Sequence, residues 1–335
     1  MLSGHGDDAY QYDLKIVSNF SSNVYNQSDL SGLKSYLKEH LDSIGSYPHP
    51  EAGSLQEKIA VKYHILPENV CVTNGSVESI YLIAQVFQNK RSGILVPTFS
   101  EYADACRIYG HQVEFIRTFD DIQAFDIVWL CNPNNPTGKV FDKVYLRKLI
   151  HLYPDVLFIV DQAYESFTIK PLFLPAETIV FPNVVVLHSM TKRFAIPGLR
   201  LGYVTAHKNQ IDRLRAQRMP WSVNSLAIAA GHYLLEQNKP LDIETYLRDK
   251  DGLCEALQTI DDLEVLPSDA HFMLVRLCRG KAACLKDFLA NEYGILIRDA
   301  SNFQCLNASY FRIATQTPAE NVALVQGIKA WFMTF

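Results

Sequence analysis

The sequence predicts an α/β protein, in which a large unit built on a mostly parallel sheet flanked by helices is joined by a smaller α+β unit. From about residue 70 to residue 205, short and nearly continuous apolar runs alternate with amphipathic stretches of helical length. Strands buried on both faces of a parallel sheet read this way, and their alternation with helices marks an α/β unit. Near residue 240 the style changes to the mixed strands and helices of an α+β unit. The chain has 335 residues and 48% hydrophobic content, enough for both units when a domain takes about 150 residues.

In chain order the strand signals of the large unit are NVCVT, GILVP, HQVEFIR, DIVWLC, VLFIVD, VVVLHS and LGYVTA. SVESIYLIAQVF, SEYADACRIYG and VYLRKLIHLY lie between them as helices, their apolar residues recurring at helical spacing. Farther on, LEVLPSDAHFMLVRL, GILIRD and YFRIA read as strands, and ACLKDFLANEY and AENVALVQGIKAWF as helices. The N-terminal segment carries a helical pattern, DLSGLKSYLKEHL, but is too short to fold alone, so it is expected to pack on the C-terminal unit. The expected division is 46–238 for the large unit, and 1–45 with 239–335 for the small one.

The net charge of -5 comes from 36 acidic and 31 basic residues that are interspersed. No basic stripe follows a phosphate backbone, so nucleic acid is not an expected partner. The opening MLSGHGDDAYQYDLK lacks the plan of a signal peptide, and no apolar run approaches the roughly 20 residues of a membrane helix. A cytoplasmic protein without a membrane partner is the expectation. The seven cysteines form no C-x-x-C pair and sit among apolar neighbours, as at Cys71, Cys131 and Cys278. They read as buried thiols rather than a disulfide framework or a metal site.

Ligands of open α/β sheets bind outside the carboxyl ends of the strands, and the chemically notable residues fall there. Asn74, Gly75 and Ser76 follow the first strand and open a helix; Phe99 follows GILVP, and Asn135 follows DIVWLC. Asp161 and Tyr164 close VLFIV, while Ser189, Thr191 and Lys192 follow VVVLH. Gly75 and Ser76 at a helix start offer free N-H groups, and Ser189, Thr191 and Arg200 add hydroxyls and a fixed cation, which together describe a phosphate cup. A lysine beside such a cup can form a Schiff base with an aldehyde cofactor, which makes Lys192 the candidate for pyridoxal phosphate. The cofactor's other needs have candidates too. Asp161 can pair with the ring nitrogen, Phe99 can stack on the ring, and Asn135 and Tyr164 can donate to its phenolic oxygen.

DQAY at 161–164, NPNNPTG at 132–138, SMTK at 189–192 and PGLRLGY at 197–203 resemble the fold-type I pyridoxal phosphate enzymes. Within them the chain looks most like the branch that holds histidinol-phosphate aminotransferase and threonine-phosphate decarboxylase. The resemblance runs nearly end to end, from His5 and Gly6 through SNFSSNVY and YPHPEAGSLQEKIA to YFRIATQTPAENVALV. It implies a large domain with a mostly parallel, seven-stranded sheet and pyridoxal 5'-phosphate as cofactor. Lys192 would be the Schiff-base lysine, Asp161 the pyridine partner and Tyr164 a further catalytic residue. Gly75, Ser189, Thr191, Arg200 and the backbone of Ser76 and Val77 would hold the cofactor phosphate. Arg312, Arg298, Asn23, Asn135 and His5 are implied on the substrate side. The resemblance also implies a homodimer in which Tyr47 of YPHP reaches the neighbour's cofactor. Two departures stand out: Gln162 where glutamate is common, at a non-contacting position, and Cys305 in NFQCL where glycine is common.

The fold does not select the reaction. The start GHGDD and the tail from GILIRDASNF to YFRIA look more like the decarboxylase. That implies carbon dioxide loss from threonine phosphate, giving an aminopropanyl phosphate for the cobalamin side chain, with His5 folded over the substrate phosphate. A histidinol-phosphate-type aminotransferase using 2-oxoglutarate is the alternative, and a sensor that binds the cofactor or a phosphorylated amino acid without turnover is a third reading.

Overall fold

The computed structural model describes residues 7–237 and 240–334. Its largest sheet has seven strands, in the spatial order Val70–Thr73, Gly202–Ala206, Val184–Ser189, Leu157–Asp161, Ile127–Cys131, Arg91–Leu95 and Gln112–Ile116. Gly202–Ala206 runs antiparallel to both of its neighbours, and every other pairing is parallel. Each strand signal of the large unit falls on one of these strands. The apolar runs are continuous because both faces are covered. Trp129, Ile159 and Leu187 pack on one face with Ile80, Ile83 and Ala105, while Val128, Phe158 and Val186 pack on the other with Leu146, Leu149 and Ile150. Gln112–Ile116, at the sheet edge, is buried less completely.

The C-terminal part forms a four-stranded antiparallel sheet in the order Arg298–Asp299, Tyr310–Ala314, Phe272–Leu277 and Leu263–Val265. Leu285 and Leu289 of helix Ala282–Tyr293, with Leu324 and Ile328 of helix Pro318–Phe332, share a core with Phe311 and Ile313 of this sheet. Ser18–Asn19 pairs in parallel with Ile295–Leu296, and Phe20 enters the same core. This part of the N-terminal segment packs on the C-terminal unit.

The helix of that segment does not. Ser31–Glu39 packs with helix Ser225–Gln237, and Leu33 joins a core with Leu55, Ile59, Ala227 and Ala230, on the side of the seven-stranded sheet. Leu33 is the helix's one buried residue. So narrow an apolar stripe needs only a shallow seat, which the small residues Ala227 and Ala230 provide.

A second correction concerns the thiols. Cys71, Cys106 and Cys131 are buried, but Cys278, Cys284 and Cys305 are exposed. Cys278 follows the last residue of strand Phe272–Leu277, where the chain leaves the sheet for the Arg279-Gly280 turn. Among the described residues no helix is long and apolar enough to cross a membrane.

Candidate active site

Thr73, Cys131, Asp161 and Ser189 each end a strand, and these strands run in one direction. The residues that follow them therefore converge on one edge of the sheet. Ser76, Val77, Phe99, Asn135, Asp161, Tyr164, Thr191, Lys192 and Arg200 line one cavity there, of about 330 Å³. Its opposite wall brings Asn23 from the N-terminal segment and Arg298 and Arg312 from the four-stranded sheet. Gly75 stands behind Ser76, and the Ser189 hydroxyl lies 2.7 Å from that of Thr191. Tyr47 is elsewhere. It is 85% exposed, its ring 5.2 Å from that of Trp221, beside a separate hollow. His5 lies outside the described residues.

The cup is built by close backbone approach. Gly75 has φ +80°, and a Cβ on it would stand 2.6 Å from Arg200 Nη2. Glycine thus suits the left-handed conformation and leaves the Arg200 guanidinium its place against the helix start. A Cβ on Gly202 would meet the Ser76 nitrogen at 2.8 Å, so this glycine lets the strand run directly behind the helix start. The start of helix Gly75–Val86 leaves N-H groups without intrahelical partners, beside the Arg200 guanidinium.

Asp161 is 4% exposed. Its Oδ1 accepts from the Ala163 N-H at 2.8 Å and its Oδ2 from the Tyr102 hydroxyl at 2.7 Å. Burial pushes its carboxyl up, and these two donors pull it back down. Lys192 is shifted down to about 8 by burial and then by the cations Arg312 and Arg200, against the opposing pull of Asp7 and Asp161. Its Nζ lies 5.9 Å from the centre of the Tyr164 ring. Burial raises the Tyr164 phenol to about 12, with Arg312 opposing.

Arg312 is 5% exposed, donates from Nη1 to Asn135 Oδ1 at 2.5 Å and from Nη2 to the Ser21 carbonyl, and has an unpartnered buried Nε. Burial, and then Arg298, bring it down to about 10. Arg298 donates to Asn302 Oδ1 at 2.8 Å. Both polar atoms of the buried Asn23 side chain lack hydrogen-bond partners. Cys305 has φ +69°, a conformation that suits glycine. Gln162 is fully buried, is not among the residues lining the cavity, and donates to the Phe173 carbonyl.

Sequence reasoning missed Asp7, Ser21, Tyr102, Cys131 and Phe303, which also line the cavity. Tyr102 had a signal: it stands three residues after Phe99, near the start of helix Glu101–Ile108. The charged lining consists of the cations Lys192, Arg200, Arg298 and Arg312 against the carboxylates Asp7 and Asp161. An excess of positive charge in a walled cavity favours an anionic ligand.

The family described as aminotransferase class I and II matches residues 15–328. The chain belongs to that family. It is 31% identical to the threonine-phosphate decarboxylase of Salmonella typhimurium over 330 residues, 92% of this chain and 90% of that protein. It is 31% identical to the histidinol-phosphate aminotransferase of Thermoanaerobacter pseudethanolicus over 308 residues, 85% and 84% of the two chains. An adenosylcobalamin biosynthesis bifunctional protein of Leptospira interrogans is 28% identical over 95% of this chain, which spans 39% of that relative's length. Among solved structures, the L-threonine-O-3-phosphate decarboxylase of Porphyromonas gingivalis superposes with a TM-score of 0.92 at 39% identity, covering 95% of this chain and 100% of that one.

The chain is thus a pyridoxal-phosphate-dependent enzyme of the aminotransferase class I and II family, with the fold-type I architecture. The cavity fits that cofactor on its own terms. It offers an amine of lowered basicity, a buried carboxylate, and a helix start and guanidinium brought together by two glycines. Such a cofactor asks for an imine-forming nitrogen, a partner for its ring nitrogen and a phosphate seat.

Proposed function

We propose that this family member is a threonine-phosphate decarboxylase acting through the cavity above. The supporting observation is the 39% identity to the Porphyromonas gingivalis decarboxylase over nearly the full length of both chains, at a TM-score of 0.92. When bound, pyridoxal phosphate supplies an aldehyde for the substrate amine and a ring that accepts the electron pair of a broken Cα bond. The protein supplies position, charge and protons.

In this reading Lys192 holds the cofactor between turnovers, and a lysine near 8 can give or take a proton at Nζ close to neutral pH. Asp161 would pair with the ring nitrogen and favour its protonated form. Gly75, Ser76, Val77, Ser189, Thr191 and Arg200 would hold the phosphate, and Phe99 would serve the ring face. Asn135 Oδ1 accepts from Arg312 Nη1, which leaves its amide N-H groups able to donate to the ring oxygen beside Tyr164. Arg312 spends two of its donors on Asn135 and Ser21. The rest, Nε included, can take the substrate carboxylate, and the two spent donors fix the plane in which it is held. Arg298 would serve the substrate's phosphate end, and Asn23 would add a polar contact on the substrate side. With the cofactor bound to take up the electron pair, carbon dioxide would be lost from Cα, and Lys192 would be the group placed to return a proton to that carbon.

The 31% identical histidinol-phosphate aminotransferase supports a second reading, amino transfer to a keto acid. The test is direct. Holoenzyme given threonine phosphate alone should release carbon dioxide in step with substrate loss and without a keto acid, while unphosphorylated threonine turns over far more slowly, because remote binding energy serves the reacting centre. No carbon dioxide from threonine phosphate, with amino transfer from histidinol phosphate to 2-oxoglutarate, would replace this reading with the second.

The active unit in this proposal is a two-fold dimer. Tyr47, Ile44, Met219 and Trp221 are large, apolar and exposed, and such surface is what a symmetric interface covers.

A further inference from the structure

The carboxylate of Asp161 faces two problems: it must stay ionised in a fully buried place, and it must present the right oxygen to a ring nitrogen. We infer that Tyr102 is the positioning residue that solves both, by donating its phenol hydroxyl to Asp161 Oδ2 at 2.7 Å. This rests on the reading of Asp161 as the ring-nitrogen partner.

Tyr102 is built for one geometry. It is 1% exposed, stacks on Trp129 with ring centres 5.7 Å apart and planes at 23°, and meets Phe99 edge to face at 5.9 Å. A phenol clamped between two rings cannot swing away from its acceptor. The other carboxylate oxygen is held by the Ala163 N-H at 2.8 Å, so both oxygens are fixed and the carboxylate plane with them. The groups around Asp161 are Tyr102 from helix Glu101–Ile108, the Cys131 thiol, His188 from strand Val184–Ser189 and Lys192 from helix Met190–Arg193. Of the influences that keep the carboxyl ionised against burial, the Tyr102 hydrogen bond is the largest. The arrangement also ties the residue expected to stack on the cofactor to the one expected to pair with it. Phe99 touches Tyr102, and Tyr102 touches Asp161.

The experiment compares apoenzyme binding of pyridoxal phosphate with binding of an analogue whose ring nitrogen is replaced by carbon. Tyr102→Phe removes one oxygen and nothing else. It should weaken the natural cofactor by about tenfold to a hundredfold, the worth of one hydrogen bond to a charged group. The analogue has no nitrogen for Asp161 to pair with, so wild type and Tyr102→Phe should bind it alike. Turnover should fall through kcat, with KM for the substrate little changed. Trp129→Phe, which loosens the stack but keeps the hydroxyl, should lose thermal stability while keeping the preference for the natural cofactor. Should Tyr102→Phe not fold, a ring-fluorinated tyrosine at 102, a stronger donor of nearly the same volume, should tighten the natural cofactor and not the analogue. Equal weakening of both ligands by Tyr102→Phe, or no weakening of either, overturns the inference. Asp161→Asn separates the two levels: normal cofactor preference and turnover in that variant removes Asp161 from its role, whereas its collapse beside an unaffected Tyr102→Phe removes only Tyr102.

Discussion

Gly75→Ala should damage cofactor binding more than it damages the fold, and the geometry sets the ratio. Gly75 sits at φ +80°, and a left-handed conformation costs an alanine about 1–2 kcal/mol. The new methyl would stand 2.6 Å from Arg200 Nη2 and 3.2 Å from its Cζ. Those atoms are the far end of a long side chain, so the clash is relieved by swinging the guanidinium aside. Its anchor, one hydrogen bond from Nη1 to the Pro197 carbonyl at 3.1 Å, does not prevent that. The apoprotein should therefore lose about 1–2 kcal/mol, a few degrees of Tm at this length. The displaced guanidinium gives up its charge-assisted bonds to the phosphate, worth about 1.5–3 kcal/mol, or roughly ten- to 150-fold in the Kd of pyridoxal phosphate. Calorimetry of the apoprotein gives the first number and an absorbance titration with cofactor the second. Gly202→Ala is the contrast. Its methyl would meet backbone on all sides, at 2.8 Å from the His188 carbonyl and the Ser76 nitrogen, so the fold itself should suffer, by about 1–3 kcal/mol of overpacking. A Gly75→Ala protein with lowered Tm and unchanged cofactor affinity would refute the assignment of Arg200 to the phosphate.

Lys192 near 8 rather than the ordinary lysine value of about 10.4 means that its free amine is present already at mildly alkaline pH. The rate of cofactor capture by apoenzyme should rise with pH and level off above about 8, and Arg312→Met, which removes a neighbouring cation, should move that midpoint upward. Arg312→Lys keeps the charge and loses the planar fork held by Asn135 and Ser21, so KM for threonine phosphate should rise by about tenfold or more and a larger share of bound cofactor should end in its amine form. Unchanged KM and reaction partition in that variant would remove Arg312 from the carboxylate. Tyr47→Ala should lower both cofactor affinity and dimer stability, read by titration and by sedimentation; a fully active monomer of the wild type would contradict the dimer proposal.

The central strands were legible because they are buried on both faces, which writes itself into the sequence as an unbroken apolar run. The site residues were legible because polar groups stand directly after those runs, where a parallel sheet gathers them. Other parts were not. Helix Lys208–Gln217 buries only Ile211 and Leu214 among polar residues, too thin a stripe to announce itself. Ser31–Glu39 showed its helical pattern, but periodicity names a face and not the partner that covers it. Cys131 lies inside an apolar run, where a thiol facing a ligand looks the same as one facing the core, and the helical pattern around Tyr102 does not say which group its hydroxyl meets. Asp7 and Ser21 reach the cavity through contacts far apart in sequence, the pairing of Ser18–Asn19 with Ile295–Leu296 and the Arg312 bond to the Ser21 carbonyl.

That long-range pairing bears on the least obvious feature of the cavity, its two arginines. Arg298 and Arg312 are register partners on adjacent antiparallel strands. Like charges placed directly opposite destabilise a sheet, and Arg298 helps to depress Arg312, which burial already brings down to about 10. Carbonyl and amide oxygens from Asn135, Ser21 and Asn302 receive part of this charge, and Asp299 and Asp8 steady Arg298. The partners of Arg312 are neutral acceptors, which satisfy its hydrogen bonds without cancelling its charge. An anion entering between the seven-stranded sheet and the four-stranded one relieves repulsion between the two guanidiniums, which favours its binding there. Arg312 takes its partners from the loop after Ile127–Cys131 and from the N-terminal segment while standing on the strand Tyr310–Ala314. A carboxylate bound to it therefore touches three parts of the chain through one side chain, which ties substrate charge to the closeness of the cavity walls.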